Sequence, residues 1–138
     1  MESDPELLEA ARAAARMAYC LYSNFHVGAA VRAGGRIFTG ANVENASYGL
    51  TVCAERTAAF AAILAGAGTI VAVAVACVDA PEGSDPGLAM PCGACRQVLA
   101  EFAGPETPVF IDRVGTFRLG DLLPRAFRLS GPGPHPEV

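Results

Sequence analysis

TIVAVAVACV, residues 69–78, carries no charge and no polar face. Thr69, Ile70, Val71, Val73, Val75 and Val78 are β-branched, and such side chains lose rotamer freedom in a helix but pack well on a pleated surface. The run is far shorter than the ~20 apolar residues that cross a bilayer. It therefore reads as a central strand covered on both sides, and helices must supply the cover.

The flanking sequence offers them. Upstream, an alanine-rich helix begins near Cys53 and runs through Ala58, Ala59 and Ala62 to Gly66, whose missing side chain suits a C-terminal cap. Downstream, DAPEGSDPGLAM (79–90) is loop, and residues 92–103 form a helix stopped at Gly104-Pro105. A short strand follows in TPVFID (107–112), a weaker one around Thr116 to Arg118, and a helical turn in LGDLLPRAF (119–127). Towards the N-terminus, FHVGAAVRAGGRIFTGANV (25–43) is two strands joined at Gly34-Gly35, a dipeptide suited to a tight hairpin, and NVENASYGL (42–50) is loop-like. Asp4 or Ser3 caps a first helix, on which Leu8, Ala11, Ala15, Ala18 and Tyr22 recur at helical spacing. This order predicts an α/β domain with a mixed sheet of about five strands and helices on both faces. Residues 1–127 are assigned to that single domain and the Pro/Gly-rich residues 128–138 to a tail.

Composition narrows the partners. The formal net charge is −4, all basic residues are arginine, and they are scattered from Arg12 to Arg128, so no basic footprint for nucleic acid exists. The absence of lysine removes Schiff-base chemistry and a Walker-type phosphate loop. With no membrane span and an acidic, amphipathic start, MESDPELLEAARAAARM, the protein is expected to be soluble and cytoplasmic. Five cysteines are an odd number for a disulfide framework and point to a site instead.

Two fragments carry that site, TVCAERTAA (51–59) and PCGACRQVL (91–99), each opening a helical pattern after a loop near the sheet. Zinc prefers thiolate and imidazole, and a catalytic zinc site keeps three protein ligands. Cys53, Cys92 and Cys95 supply three, and the partial positive charge of helix N-termini eases cysteines into the thiolate form. Three thiolates on one divalent ion leave a net charge of about −1, which Arg56 and Arg96, each next to a cysteine fragment's helix start, can offset. Glu55, two residues from one ligand on the same turn, is placed for general acid/base work.

The pattern CAE followed by PCxxC is a zinc-deaminase signature. The sequence resembles the small homotetrameric zinc-dependent cytidine deaminases in YSNFHVGAAV (22–31), GRIFTGANVENASYGLTVCAERTA (35–58), PCGACRQVLAEF (91–102) and LLPRAF (122–127). That resemblance implies the three-layer cytidine-deaminase-like fold, zinc on Cys53, Cys92 and Cys95, and proton shuttling by Glu55. It implies hydrolysis of cytidine and 2′-deoxycytidine to uridine and 2′-deoxyuridine with release of ammonia, a step of pyrimidine salvage. It further implies that the backbone amides of Ala54 and Cys92 contact the pyrimidine and the attacking oxygen, that Phe25, Asn42 and Glu44 hold the nucleoside, and that Ala46, Tyr48 and Phe127 reach in across subunits of a homotetramer. Leu21 and His26 depart from prolines common in that family, and Met90 from a serine.

Other readings of the same residues exist. PCGAC alone is also a redox CxxC, but that reading has no use for Cys53 or Glu55. A non-catalytic zinc module would need a fourth ligand from Cys20, Cys77, His26 or His135. Asn42 and Glu44 are ordinary turn residues without the resemblance, and Phe25 and Phe127 are equally suited to a core. A deaminase for a cytosine nucleoside antibiotic of the blasticidin S type shares the fold, although NVENASYG matches the nucleoside-binding stretch.

Overall fold

The computed structural model describes residues 2–129. Five strands, β1 (Val27–Ala33), β2 (Arg36–Ala41), β3 (Ile70–Cys77), β4 (Pro108–Ile111) and β5 (Gly115–Arg118), form one sheet in the order β2-β1-β3-β4-β5. The run that opened the sequence reading is thus the middle strand, with only Val71 exposed along it. β1 pairs antiparallel with both β2 and β3, β3 and β4 run parallel, and β5 returns antiparallel. Four helices complete the fold: α1 (Pro5–Ala14), α2 (Ala54–Leu64), α3 (Gly93–Phe102) and the short α4 (Leu119–Leu122).

Because side chains alternate along a strand, the central strands feed two different cores. Ala29, Val31, Val73, Val75, Val109 and Ile111 join the cluster containing Ala58 and Ala62 of α2 and Leu99 of α3. Ala30, Ala72, Ala74, Ala76 and Phe110 face the other way and pack with Leu7 and Ala11 of α1. The result is the expected three layers. Small residues set the spacing between them: a Cβ on Gly28 would lie 1.9 Å from the Ala11 carbonyl oxygen, and one on Gly40 would lie 2.3 Å from the Ala58 backbone nitrogen. Gly34 and Gly35, with φ of 58° and 75°, make the hairpin turn that L side chains rarely enter.

Asp4 caps α1 by accepting from the Leu7 amide at 3.1 Å, with Pro5 at the first helical position. The helix is shorter than its periodicity suggested. Helical spacing reached Tyr22, but α1 stops at Ala14 and tightens into a 3-10 turn over Ala15–Met17. The chain then leaves because Tyr19 pairs with the loop after β2: its amide donates to the Asn42 carbonyl at 2.9 Å and its carbonyl accepts from the Glu44 amide at 2.8 Å. Leu7, Ala11 and Ala15 are the buried stripe, and Leu8 is only partly covered. Loop 79–90 contains a 3-10 turn at Pro86–Ala89, capped by Asp85. Most of the tail, with His135, lies outside the described residues.

Candidate metal centre

α2 and α3 both start beside the sheet, and each start carries a cysteine in its capping position, Cys53 and Cys92, with Cys95 one turn into α3. The three sulfur atoms all lie within 4.8 Å of one another. Cys92 Sγ and Cys95 Sγ are 3.5 Å apart. Cys95 is buried, Cys53 half-buried and Cys92 exposed, so the trio opens to one side. Among the described residues Cys20, Cys77 and His26 stand outside this group, which therefore offers three sulfur atoms and an open side, an arrangement that fits a catalytic zinc site. Cys77 is a buried thiol pushed up to about 12 by desolvation and serves as core.

The electrostatics fit a metal. Arg56 places Nη2 3.5 Å from Cys53 Sγ and 3.4 Å from the Thr51 carbonyl, while its Nε is buried without a hydrogen-bond partner. A cation with an orphaned donor beside thiols fits a centre in which all three sulfurs become thiolates. Already the Cys53 thiol is held down to about 5, first by a hydrogen bond from Cys95 and then by the Arg56 guanidinium. Cys95 is pushed up, because it donates that bond and is buried. Glu55 is 4% exposed, and desolvation, aided by the charge of Cys53, raises its carboxyl to about 7. A carboxyl poised near neutrality can both take and give a proton. Ala54, fully buried, opens α2 between Cys53 and Glu55.

A second group of expected residues converges on segment 22–27. The Asn42 carboxamide is nearly buried, accepts from the Val27 amide at 2.9 Å and donates to the Phe25 carbonyl at 2.8 Å. One lone pair and one N–H remain on it for a ligand. Glu44 Oε1 accepts from the Tyr22 and Ser23 amides at 3.0 and 3.1 Å, and Oε2 accepts from the Ser23 hydroxyl, leaving one side of Oε2 free. Phe25 is half-buried against the α2/α3 core. Tyr22, Ser23, Glu44, Tyr48 and Thr51 line a cavity of about 380 Å³, in which the Tyr22 and Tyr48 rings meet edge to face at 6.1 Å. A cavity of about 480 Å³ between loop 80–86 and Asp112–Val114 is larger; neither cavity includes a clustered cysteine, but only the smaller is lined by expected site residues, Glu44 and Tyr48. Ala46 and Phe127 are not drawn in. Both are exposed, and the Phe127 carbonyl accepts from Gln97 Nε2 at 3.0 Å on the outer side of α3.

Residues 1–111 match the family described as the cytidine and deoxycytidylate deaminase zinc-binding region. The chain belongs to that family. A cytidine deaminase of Mycobacterium tuberculosis is 52% identical over 119 residues, spanning 85% of this chain and 84% of that one. One from Halalkalibacterium halodurans is 44% identical over 126 residues, 88% of this chain and 91% of the relative. The crystal structure of cytidine deaminase from Burkholderia pseudomallei superposes with a TM-score of 0.79 at 45% identity, covering 91% of this chain and 100% of that chain.

Within this deaminase-family frame, some residues of the site gave no signal in the sequence. Ser23 and the Tyr22 amide fasten Glu44, and the Thr57 hydroxyl lies 2.9 Å from the Ala41 carbonyl, tying α2 to the end of β2. Arg96 spans from the Pro91 carbonyl, beside Cys92, to the Leu122 carbonyl, at 2.8 Å each. These contacts join positions distant in sequence or use backbone groups, so no motif marks them.

Proposed function

We propose that the protein hydrolyses cytidine and 2′-deoxycytidine to uridine and 2′-deoxyuridine with release of ammonia, as a cytoplasmic enzyme of pyrimidine salvage. The observation that carries this reading is the juxtaposition of three converging thiols with the buried Glu55, whose carboxyl is raised to about 7. Cys53, Cys92 and Cys95 would hold zinc, which when bound supplies the Lewis acidity that makes water nucleophilic at neutral pH. Glu55 takes one proton from the attacking water and delivers it to ring nitrogen 3, then takes the second from the new hydroxyl on ring carbon 4 and gives it to the departing amine. The Ala54 and Cys92 amides orient the pyrimidine and the attacking oxygen, while Arg56 balances the thiolate charge.

Phe25, Asn42 and Glu44 hold the nucleoside, through the valences of Asn42 and Glu44 left unused within the chain. Residues 1–127 act as one domain, and the working unit is a homotetramer in which Ala46, Tyr48 and Phe127 complete a neighbour's pocket. Supporting this, Tyr48 is 76% and Phe127 67% exposed in the single chain, as are Leu50 and Leu64 to similar or greater degree. The enclosed substrate is a free nucleoside, because a phosphate near the Glu44 carboxylate would meet repulsion.

A spectrophotometric assay should show cytidine and deoxycytidine turning over far faster than cytidine monophosphate or cytosine in single-stranded DNA, by an oligomer in sedimentation. Turnover of a blasticidin-type nucleoside alone would replace the substrate assignment. A fully active monomer would refute the shared pocket.

A further inference from the structure

The nucleoside-binding side chains proposed above are fastened from Asp79, which none of the motifs includes. In the antiparallel ladder of β1 and β3, Val27 opposite Cys77 is the outermost register pair. One residue beyond it on the β1 side is His26, and two residues beyond on the β3 side is Asp79. Asp79 Oδ2 accepts from the His26 backbone amide at 2.8 Å and lies 2.7 Å from His26 Nδ1. A single carboxylate oxygen thus grips both the main chain and the ring of His26, across 53 positions of sequence.

The residues on either side of His26 hold Asn42. The Phe25 carbonyl accepts from Asn42 Nδ2, and the Val27 amide donates to Asn42 Oδ1. From Phe25 the connection continues: its amide donates to Ser23 Oγ at 3.0 Å, and the Ser23 hydroxyl donates to Glu44. Asp79, His26, the backbone of residues 25–27, Asn42, Ser23 and Glu44 therefore form one continuous run of hydrogen bonds. Segment 21–26 has no ladder partner of its own and includes Asn24 at a φ of 56°, so its conformation depends on such ties. At its front end the ties are Glu44 and the bond from the Asn24 amide to the Cys20 carbonyl at 2.8 Å. At its rear end Asp79 is the tie on His26 that does not pass through the Asn42 side chain, while the Asn42 backbone amide separately donates to the Val27 carbonyl at 3.3 Å.

We infer that Asp79, acting through His26, is a positioning residue that sets the pose of Asn42 and Glu44 and so governs recognition of the sugar rather than deamination of the base. This inference rests on the proposed nucleoside reading. Neither Asp79 nor His26 is near the cysteine cluster in sequence, and both side chains are roughly two-fifths exposed, at 41% and 40%, so replacing Asp79 leaves no buried cavity.

The test uses the zinc-loaded full chain with Asp79→Ala and Asp79→Asn. In Asp79→Ala, KM for cytidine should rise roughly five- to tenfold while kcat stays within about twofold and the zinc content is unchanged. Inhibition by the product uridine should weaken by a similar factor, whereas inhibition by uracil, which has no sugar, should not change. Asp79→Asn keeps an oxygen for the His26 amide and should recover most of the loss. In the same variants, amide hydrogen exchange at Val27 should quicken in Asp79→Ala and return towards normal in Asp79→Asn. That readout needs no turnover. If Val27 exchange is unchanged, or if uracil and uridine weaken together, the positioning role is overturned. If the parent protein turns over no cytosine nucleoside, the functional reading falls, while the exchange result still decides whether Asp79 holds Asn42.

Discussion

The three cysteines hang from the first turns of two regular helices, whereas Phe25, Asn42 and Glu44 lie on irregular segments joined to each other by side-chain hydrogen bonds. At the metal end each position follows from a local pattern: a loop, a cysteine, a helix start, and a sheet on which the helix rests. At the proposed nucleoside end the ties that fix Asn42 and Glu44 join residues about 15 or more positions apart, so neither follows from its neighbours in sequence. The first construction resists displacement because moving a ligand means moving a packed helix. The second can be loosened one bond at a time, at about 1 kcal/mol for a typical neutral hydrogen bond.

The largest expected effect lies at the metal end. Cys53→Ala should leave the protein without stoichiometric zinc by elemental analysis and without turnover, and full zinc retention in that variant would separate the cysteine cluster from the metal. Next comes Glu55→Gln, which should retain about one zinc per chain yet lose at least the ~10²–10⁴-fold that a general acid/base contributes. Near-normal turnover there would leave the metal end intact and remove its proton carrier.

The smallest effect concerns the other end. Glu44 is held below the ordinary glutamate value of about 4.3, first by the Ser23 hydroxyl and then by the Ser23 and Tyr22 amides. Because the folded value is the lower one, the tie is complete above the unfolded value and is lost as pH falls through the folded value. The Tyr22 and Ser23 amide resonances should therefore move together in an NMR acid titration, with a midpoint below about 4.3. A midpoint at or above the ordinary value would show that Glu44 does not hold this turn, and would erase the contrast between the two ends.

The same contrast explains what the sequence made legible. β3, the Gly34-Gly35 hairpin and the helices after Cys53 and Cys92 were readable because β-branching, glycine conformation and capping act over a few residues. The cysteine cluster was readable for the same reason, since Cys53, Cys92 and Cys95 stand at helix starts. The end of α1 was not. Helical spacing continued to Tyr22, but the bonds of Tyr19 to Asn42 and Glu44 overrode it, a tertiary effect with no local trace. The grip of Asp79 on His26 was equally hidden, and Asn42 and Glu44 carried meaning only through family resemblance, because in isolation they are ordinary turn residues.

Gly40 extends its influence well past the strand that contains it. With a Cβ there only 2.3 Å from the Ala58 nitrogen and 2.7 Å from the Ala54 carbonyl oxygen, β2 touches the first turns of α2 with no clearance left. The inner face of that helix is correspondingly alanine, at Ala54, Ala58 and Ala62, all fully buried. Any larger side chain along this contact would act as a lever, tilting the start of α2 and carrying Cys53 away from the two cysteines on α3. The variation open to these positions over evolutionary time is thus limited by the gap between sulfur atoms, a tolerance that chemistry imposes on side chains whose own work is packing.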